Sequence, residues 1–141
     1  MTITLPDDPA LLSDPEPPDY AQSFQKAIDE ARLAGFEVIQ SSETRLLLDL
    51  DHESNLKQCA MMLSRIGPLY DLKEQARWIS KSRIGQHVVV SCKPLPFMTR
   101  VALQACLGSD PVREALAVFL FQEGTEEPSV LFKPPQKLLN P

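Results

Sequence analysis

The sequence has little of what builds metal clusters or disulfide frameworks. It holds three cysteines and two histidines in 141 residues. Cys59, Cys92 and Cys106 are an odd number at wide spacing, with no CxxC pair. A structural zinc site or a disulfide framework is therefore not expected. The cysteines read as reduced, mostly buried small hydrophobes of a cytoplasmic protein. Uninterrupted apolar runs are only a few residues long, so no transmembrane helix fits and no membrane is expected as a partner. Basic residues are outnumbered, 14 Lys and Arg against 19 Asp and Glu, for a net charge of −5. That balance argues against broad electrostatic attraction to nucleic acid, while leaving room for a local basic patch. The N-terminus MTITLPDDPALL lacks the basic start and the apolar block of a signal peptide.

What is present is ordinary for a globular chain. Hydrophobic residues make up 43% and charged residues 23%, and the length suits one domain with a sizeable core. Five of the 13 prolines fall in residues 1–18 among acids, which reads as a flexible acidic arm. Residues 19–133 read as a single α+β domain, and 134–141 as a tail.

Apolar spacing predicts a helix from Asp19 to a stop at Gly35. FEVIQSS (36–42) and RLLLDLD (45–51) read as a first hairpin. A helix over 52–66 follows, ended by Gly67-Pro68. ARWISKS (76–82) and QHVVVSC (86–92) read as a second hairpin. Residues 95–108 are helical, and Asp110 caps a short helix reaching about Ala117. AVFLFQ and SVLFKP read as a third hairpin. The expected fold is α+β, a mainly antiparallel sheet built from three hairpins with helices packed on it.

Strand RLLLDLD poses the functional question. Leu47, Asp49 and Asp51 share one face, and Leu46, Leu48 and Leu50 the other. Two carboxylates about 6.5–7 Å apart in Cα terms can reach one divalent ion, and hard oxygen donors suit magnesium or manganese. The plainer alternative is a strand end with both acids solvated. In the second hairpin, Lys81, Ser82, Arg83, Gly85 and His87 surround one turn. A glycine there can take a positive φ and admit a phosphate to backbone N–H groups. Ser82 and His87 can donate hydrogen bonds to a triphosphate, and Lys81 and Arg83 add positive charge. The plainer alternative for His87 is a core histidine. Trp78 reads as core before it reads as a base-stacking residue. Arg113 can pair within the domain or meet a phosphate.

A hydrophobic strand ending in DxD, then a helix, then a hairpin with Ser-x-x-Gly-x-His and a further hydrophobic strand resembles motifs I and II of the archaeo-eukaryotic primase superfamily. That superfamily includes the primase-polymerases of phages and plasmids. The resemblance spans about residues 36–92. It implies an RRM-like sheet, with Asp49 and Asp51 as catalytic metal ligands for magnesium or manganese. It also implies Ser82 and His87 as ligands of an incoming nucleoside triphosphate, His87 in a catalytic role. Single-stranded DNA or a replication protein would be further partners. Where the family commonly has Ser-Gly-x-Gly-x-His, this chain has Arg83 at the first glycine. The family also places a third acid on a later strand. The candidates are Asp110, which reads as a helix cap, Glu114 inside a helix, and Glu123 at a hairpin end. The resemblance thus implies a nucleotidyltransferase domain in the DNA replication of a phage or mobile element. The alternative is a catalytically inactive RRM-like relative that binds nucleotide or protein.

Overall fold

Asp19 opens the first helix by accepting a hydrogen bond from the Gln22 N–H at 3.0 Å, so α1 runs Tyr20–Leu33. Gly35, at φ +85°, ends it as expected. The computed structural model describes residues 19–80 and 85–135. The proposed arm 1–18, most of the tail, and Lys81, Ser82 and Arg83 lie outside the described residues. Strand β1 (Glu37–Gln40) and β2 (Arg45–Leu50) follow, then helix α2 (Glu53–Tyr70), strands β3 (Lys73–Ile79) and β4 (Gln86–Ser91), helices α3 (Phe97–Cys106) and α4 (Pro111–Gln122), and β5 (Val130–Lys133).

The α+β class with helices on antiparallel sheet is what the chain adopts. The strand pairing inside it differs from the expectation at two of the three hairpins. Strands β3 and β4 form the second hairpin, and β2 joins them in the order β2-β4-β3. Strand β1 does not pair along β2 but lies antiparallel to β5 in a separate two-stranded sheet. AVFLFQ is not a strand at all. It completes α4, which Asp110 starts by accepting from Val112 N–H at 3.0 Å. The segment is apolar on nearly every side, so helical periodicity is invisible in it, and nothing before Gly124 breaks the helix. Helix α2 also runs past Gly67-Pro68. Pro68 lies two residues from the end, and Asp71 closes the last turn in the left-handed conformation (φ 57°). Leu72 N–H then donates to Gly67 C=O at 2.9 Å.

The sheet is buried on both faces along most of β2. Leu46, Leu48 and Leu50 pack with Val88 and Val90 against α2 and α3. Leu47, Val89 and Trp78 point the other way, under Leu131 and Ile39 of the small sheet. Each of the four β2 leucines is fully buried, a contribution of roughly 1.5–3 kcal/mol apiece. Trp78 is therefore core, as its sequence context favoured.

The outer edge of β2 meets no strand among the described residues, where an RRM-like sheet would add a fourth. Side chains and loop backbone take its place. Leu47 N–H donates to Gln104 Oε1 at 2.9 Å, and Leu47 C=O accepts from Arg113 Nη1 at 3.1 Å. Asp49 N–H donates to Ser109 Oγ at 3.0 Å, and Asp49 C=O accepts from Asp110 N–H at 2.9 Å. Glu114 ties the set together. Its carboxylate accepts from Gln104 Nε2 at 2.6 Å, Ser109 Oγ at 3.0 Å and Arg113 Nη1 at 2.7 Å. Glu114 is thus a structural node inside the fold and not an acid facing the candidate site. Glu123, the C-cap of α4, is exposed on the same helix.

Candidate metal centre

Asp49 lies on the sheet face of Leu47, one position beyond the cover of the small sheet, and half-exposed. Across the ladder it pairs with His87, which pairs with Trp78. The three form one row over β2, β4 and β3. His87 Nε2 sits 3.4 Å from Asp49 Oδ1, and its ring meets Trp78 edge-on with centroids 5.6 Å apart. His87 Nδ1 and Trp78 Nε1 are buried with no hydrogen-bond partner among the described residues.

Asp51 follows β2 and directly precedes His52, the N-cap of α2. Asp110, the N-cap of α4, reaches the same place from the opposite direction. Ligand oxygens of Asp49, Asp51 and Asp110 all lie within 4.8 Å of one another. The third carboxylate is thus Asp110, which sequence reasoning set aside as a cap. It is a cap and a member of the cluster together, because the bond from its N–H to Asp49 C=O docks the α4 start on β2. The signal that could have found it is Gly-Ser-Asp-Pro. In the structure this short polar break supplies the edge of β2 with partners, Ser109 Oγ and the Asp110 N–H.

The charges are compensated in part by the fold. The His87 hydrogen bond and charge, with Arg113 behind, hold the Asp49 carboxyl below the usual carboxylate range against the opposing effect of its burial. Partial loss of hydration, with the charges of Asp49 and Asp110, pushes Asp51 up. Burial likewise pushes Glu114 up, against Arg113 and its hydrogen-bond donors. Both helix starts add favourable N–H dipoles.

The signs give a pH profile. A lowered carboxyl contributes stability that is complete above the unfolded pKa of about 3.9 and lost as pH falls through the lower folded value. Raised carboxyls do the opposite: the protein gains stability as pH falls through their folded values towards about 3.9–4.3. The melting temperature is therefore expected to peak on the acidic side of neutrality. Asp51→Asn should flatten that rise. A maximum at pH 7 or above in both proteins would contradict the assignment.

Gly85 is buried. A Cβ there would fall 2.3 Å from Leu50 O and 3.0 Å from Asp51 Cα. The close approach that demands glycine is thus made by the chain's own β2 end, where Asp51 is anchored. Gly85→Ala must push that backbone away and is expected to cost about 1–3 kcal/mol, or several degrees of melting temperature. An unchanged melting curve would refute this.

The donor set suits a hard divalent cation. Two ligand oxygens in an octahedron are at most twice the metal–oxygen distance apart, about 4.1 Å for magnesium and about 4.6–5.2 Å for calcium. Of three ligand oxygens at most one pair can be trans, and the other pairs must be cis, about 2.9 Å apart on magnesium. A bound ion would therefore draw the three carboxylates, now within 4.8 Å of one another, inward. No helix among the described residues is long and apolar enough to cross a membrane. No family model, curated protein or solved structure matches the chain.

Proposed function

We propose that the chain binds a divalent cation with a nucleoside triphosphate at Asp49, Asp51 and Asp110, as a small cytoplasmic primase-polymerase-like nucleotidyltransferase in the DNA replication of a phage or mobile element. The observation that carries the reading is the convergence of three carboxylates, from β2, the α2 start and the α4 start, within 4.8 Å. Magnesium or manganese would neutralise phosphate charge there and orient the phosphoryl group, which is most of what phosphoryl transfer asks of a protein. His87, fixed between Asp49 and Trp78, would hold the nucleotide side of the site and orient Asp49. Lys81, Ser82, Arg83 and Gly85 border it in sequence; the resemblance to the primase superfamily implies Ser82 as a nucleotide ligand, and the charges of Lys81 and Arg83 suit the phosphates.

A second reading keeps the fold without the chemistry: an inactive relative that binds nucleotide or a replication protein. What favours it is that His87, Arg113 and two helix starts already compensate the carboxylates. Calorimetric titration separates the two readings from a chance cluster. Manganese with nucleoside triphosphate, manganese alone and nucleotide alone are each titrated into the protein. Metal-dependent nucleotide binding together with primer synthesis on single-stranded DNA supports the first reading, and binding without synthesis supports the second. No heat in any titration removes both nucleotide readings.

A further inference from the structure

Helix α4 turns its charge inward and its apolar residues outward. Glu114 is 3% exposed, whereas Val112, Leu116 and Phe119 are 74%, 40% and 43% exposed. Those three positions, spaced i, i+4 and i+7, form one stripe. Every exposed residue of α4 is uncharged: Pro111, Val112, Ala115, Leu116, Phe119, Phe121 and Gln122. A surface helix of an isolated chain normally shows the reverse pattern. Tyr20 at the start of α1 extends the stripe, edge-on to Phe119 with centroids 5.6 Å apart. Beside it, between α1, α4 and β5, opens a cavity of about 300 Å³ lined by Tyr20, Phe24, Leu116, Leu120 and Phe132.

We propose that this face is the interface between two copies of the chain, α4 packing along α4, with Phe119 of each copy entering the cavity of the other. A two-fold interface needs one patch that carries both a projection and its receptacle. Phe119 and the cavity stand side by side on the same two helices. Charge selects the same occupant. A chain of net charge −5 repels its copy through most of its surface, whereas between its capping acids Asp110 and Glu123 helix α4 exposes no charge, so the middle of the stripe opposes no like charge. That middle equally offers no charge with which to recognise an acidic or basic peptide.

Sedimentation of the full chain tests this with the wild type, Phe119→Lys and Val112→Glu. A base near the end of α4 and an acid near its start both suit the helix dipole. The wild type is expected to be dimeric with a Kd on the order of micromolar, and each variant to weaken association at least about tenfold. If Phe119→Lys unfolds, the more exposed Val112→Glu carries the test. A wild type that stays monomeric at roughly 100-fold that concentration overturns the proposal and gives the face to another protein or another part of the chain. A dimer that both variants leave intact also overturns it.

Discussion

Replacing Glu114 by alanine is expected to lower the melting temperature by roughly 10–15 °C, from a loss of about 3–5 kcal/mol. The carboxylate is almost fully buried and accepts from three donors. Its removal leaves the Arg113 guanidinium with a charge no longer paired, and leaves a Gln104 amide hydrogen and the Ser109 hydroxyl hydrogen without their acceptor. Orphaned buried groups of this kind cost more than the net worth of the bonds they made. Glu114→Gln keeps the shape but turns an amide NH₂ toward one of those donors, so an intermediate loss is expected. A buried ion pair can often be exchanged for apolar residues without penalty. Here it cannot, because Gln104 and Arg113 also satisfy the Leu47 N–H and C=O at the edge of β2. Thermal unfolding of Glu114→Ala and Glu114→Gln checks this. A fall of less than about 3 °C for Glu114→Ala, near 1 kcal/mol, would mean that water replaces the node and that the edge does not depend on it.

The same edge explains which parts of the molecule were legible in the sequence. Locally encoded features were: the Asp19 and Asp110 caps, the leucine and aspartate faces of β2, the β3–β4 hairpin, and the burial of Trp78. What depended on distant partners was not. Whether FEVIQ pairs with the next strand or the last is decided by where α3 and α4 lie, since their junction takes the edge of β2 from Leu47 to Asp49. Asp110 looked complete as a cap because capping uses one carboxylate oxygen and one neighbouring N–H. Its second role arises from a contact sixty-one positions away in the chain, between its own N–H and Asp49 C=O. Arg113 and Glu114 did leave a local trace. They are the only charged residues of α4 (PVREALAVFLFQ), and side chains of this kind are fully buried only when paired. Arg100 follows the same logic, forked onto Glu127 at 2.7 and 3.0 Å while 3% exposed.

Asp49→Asn with Asp51→Asn is expected to abolish cation-dependent binding while leaving the cation-free protein as stable as before or more so. Coulomb attraction between a unit charge and a divalent ion 4 Å apart is about 2 kcal/mol even in water. That is on the order of 30-fold in affinity for each carboxylate lost. The stability side follows from the charges themselves. Asp49 loses its attraction to His87, but Asp51 loses a repulsion from two neighbouring acids, so the two changes oppose. Asp110→Asn is the sharper test. Asparagine caps a helix as well as aspartate does, so α4 still starts and the docking bond from the backbone N–H survives. Only the anionic oxygen is gone. Binding should weaken by about 30-fold, with the melting temperature of the cation-free protein unchanged. Melting curves with and without manganese report both quantities at once. At about 100 times Kd a bound ion stabilises the folded chain by about 2.7 kcal/mol, close to 10 °C for a chain of this size. Wild type should show that shift, Asp110→Asn a fraction of it, and the double variant none. An equal shift in all three proteins would put the cation elsewhere. A shift lost in the double variant but complete in Asp110→Asn would confine the site to β2 and the start of α2, and leave Asp110 a cap alone.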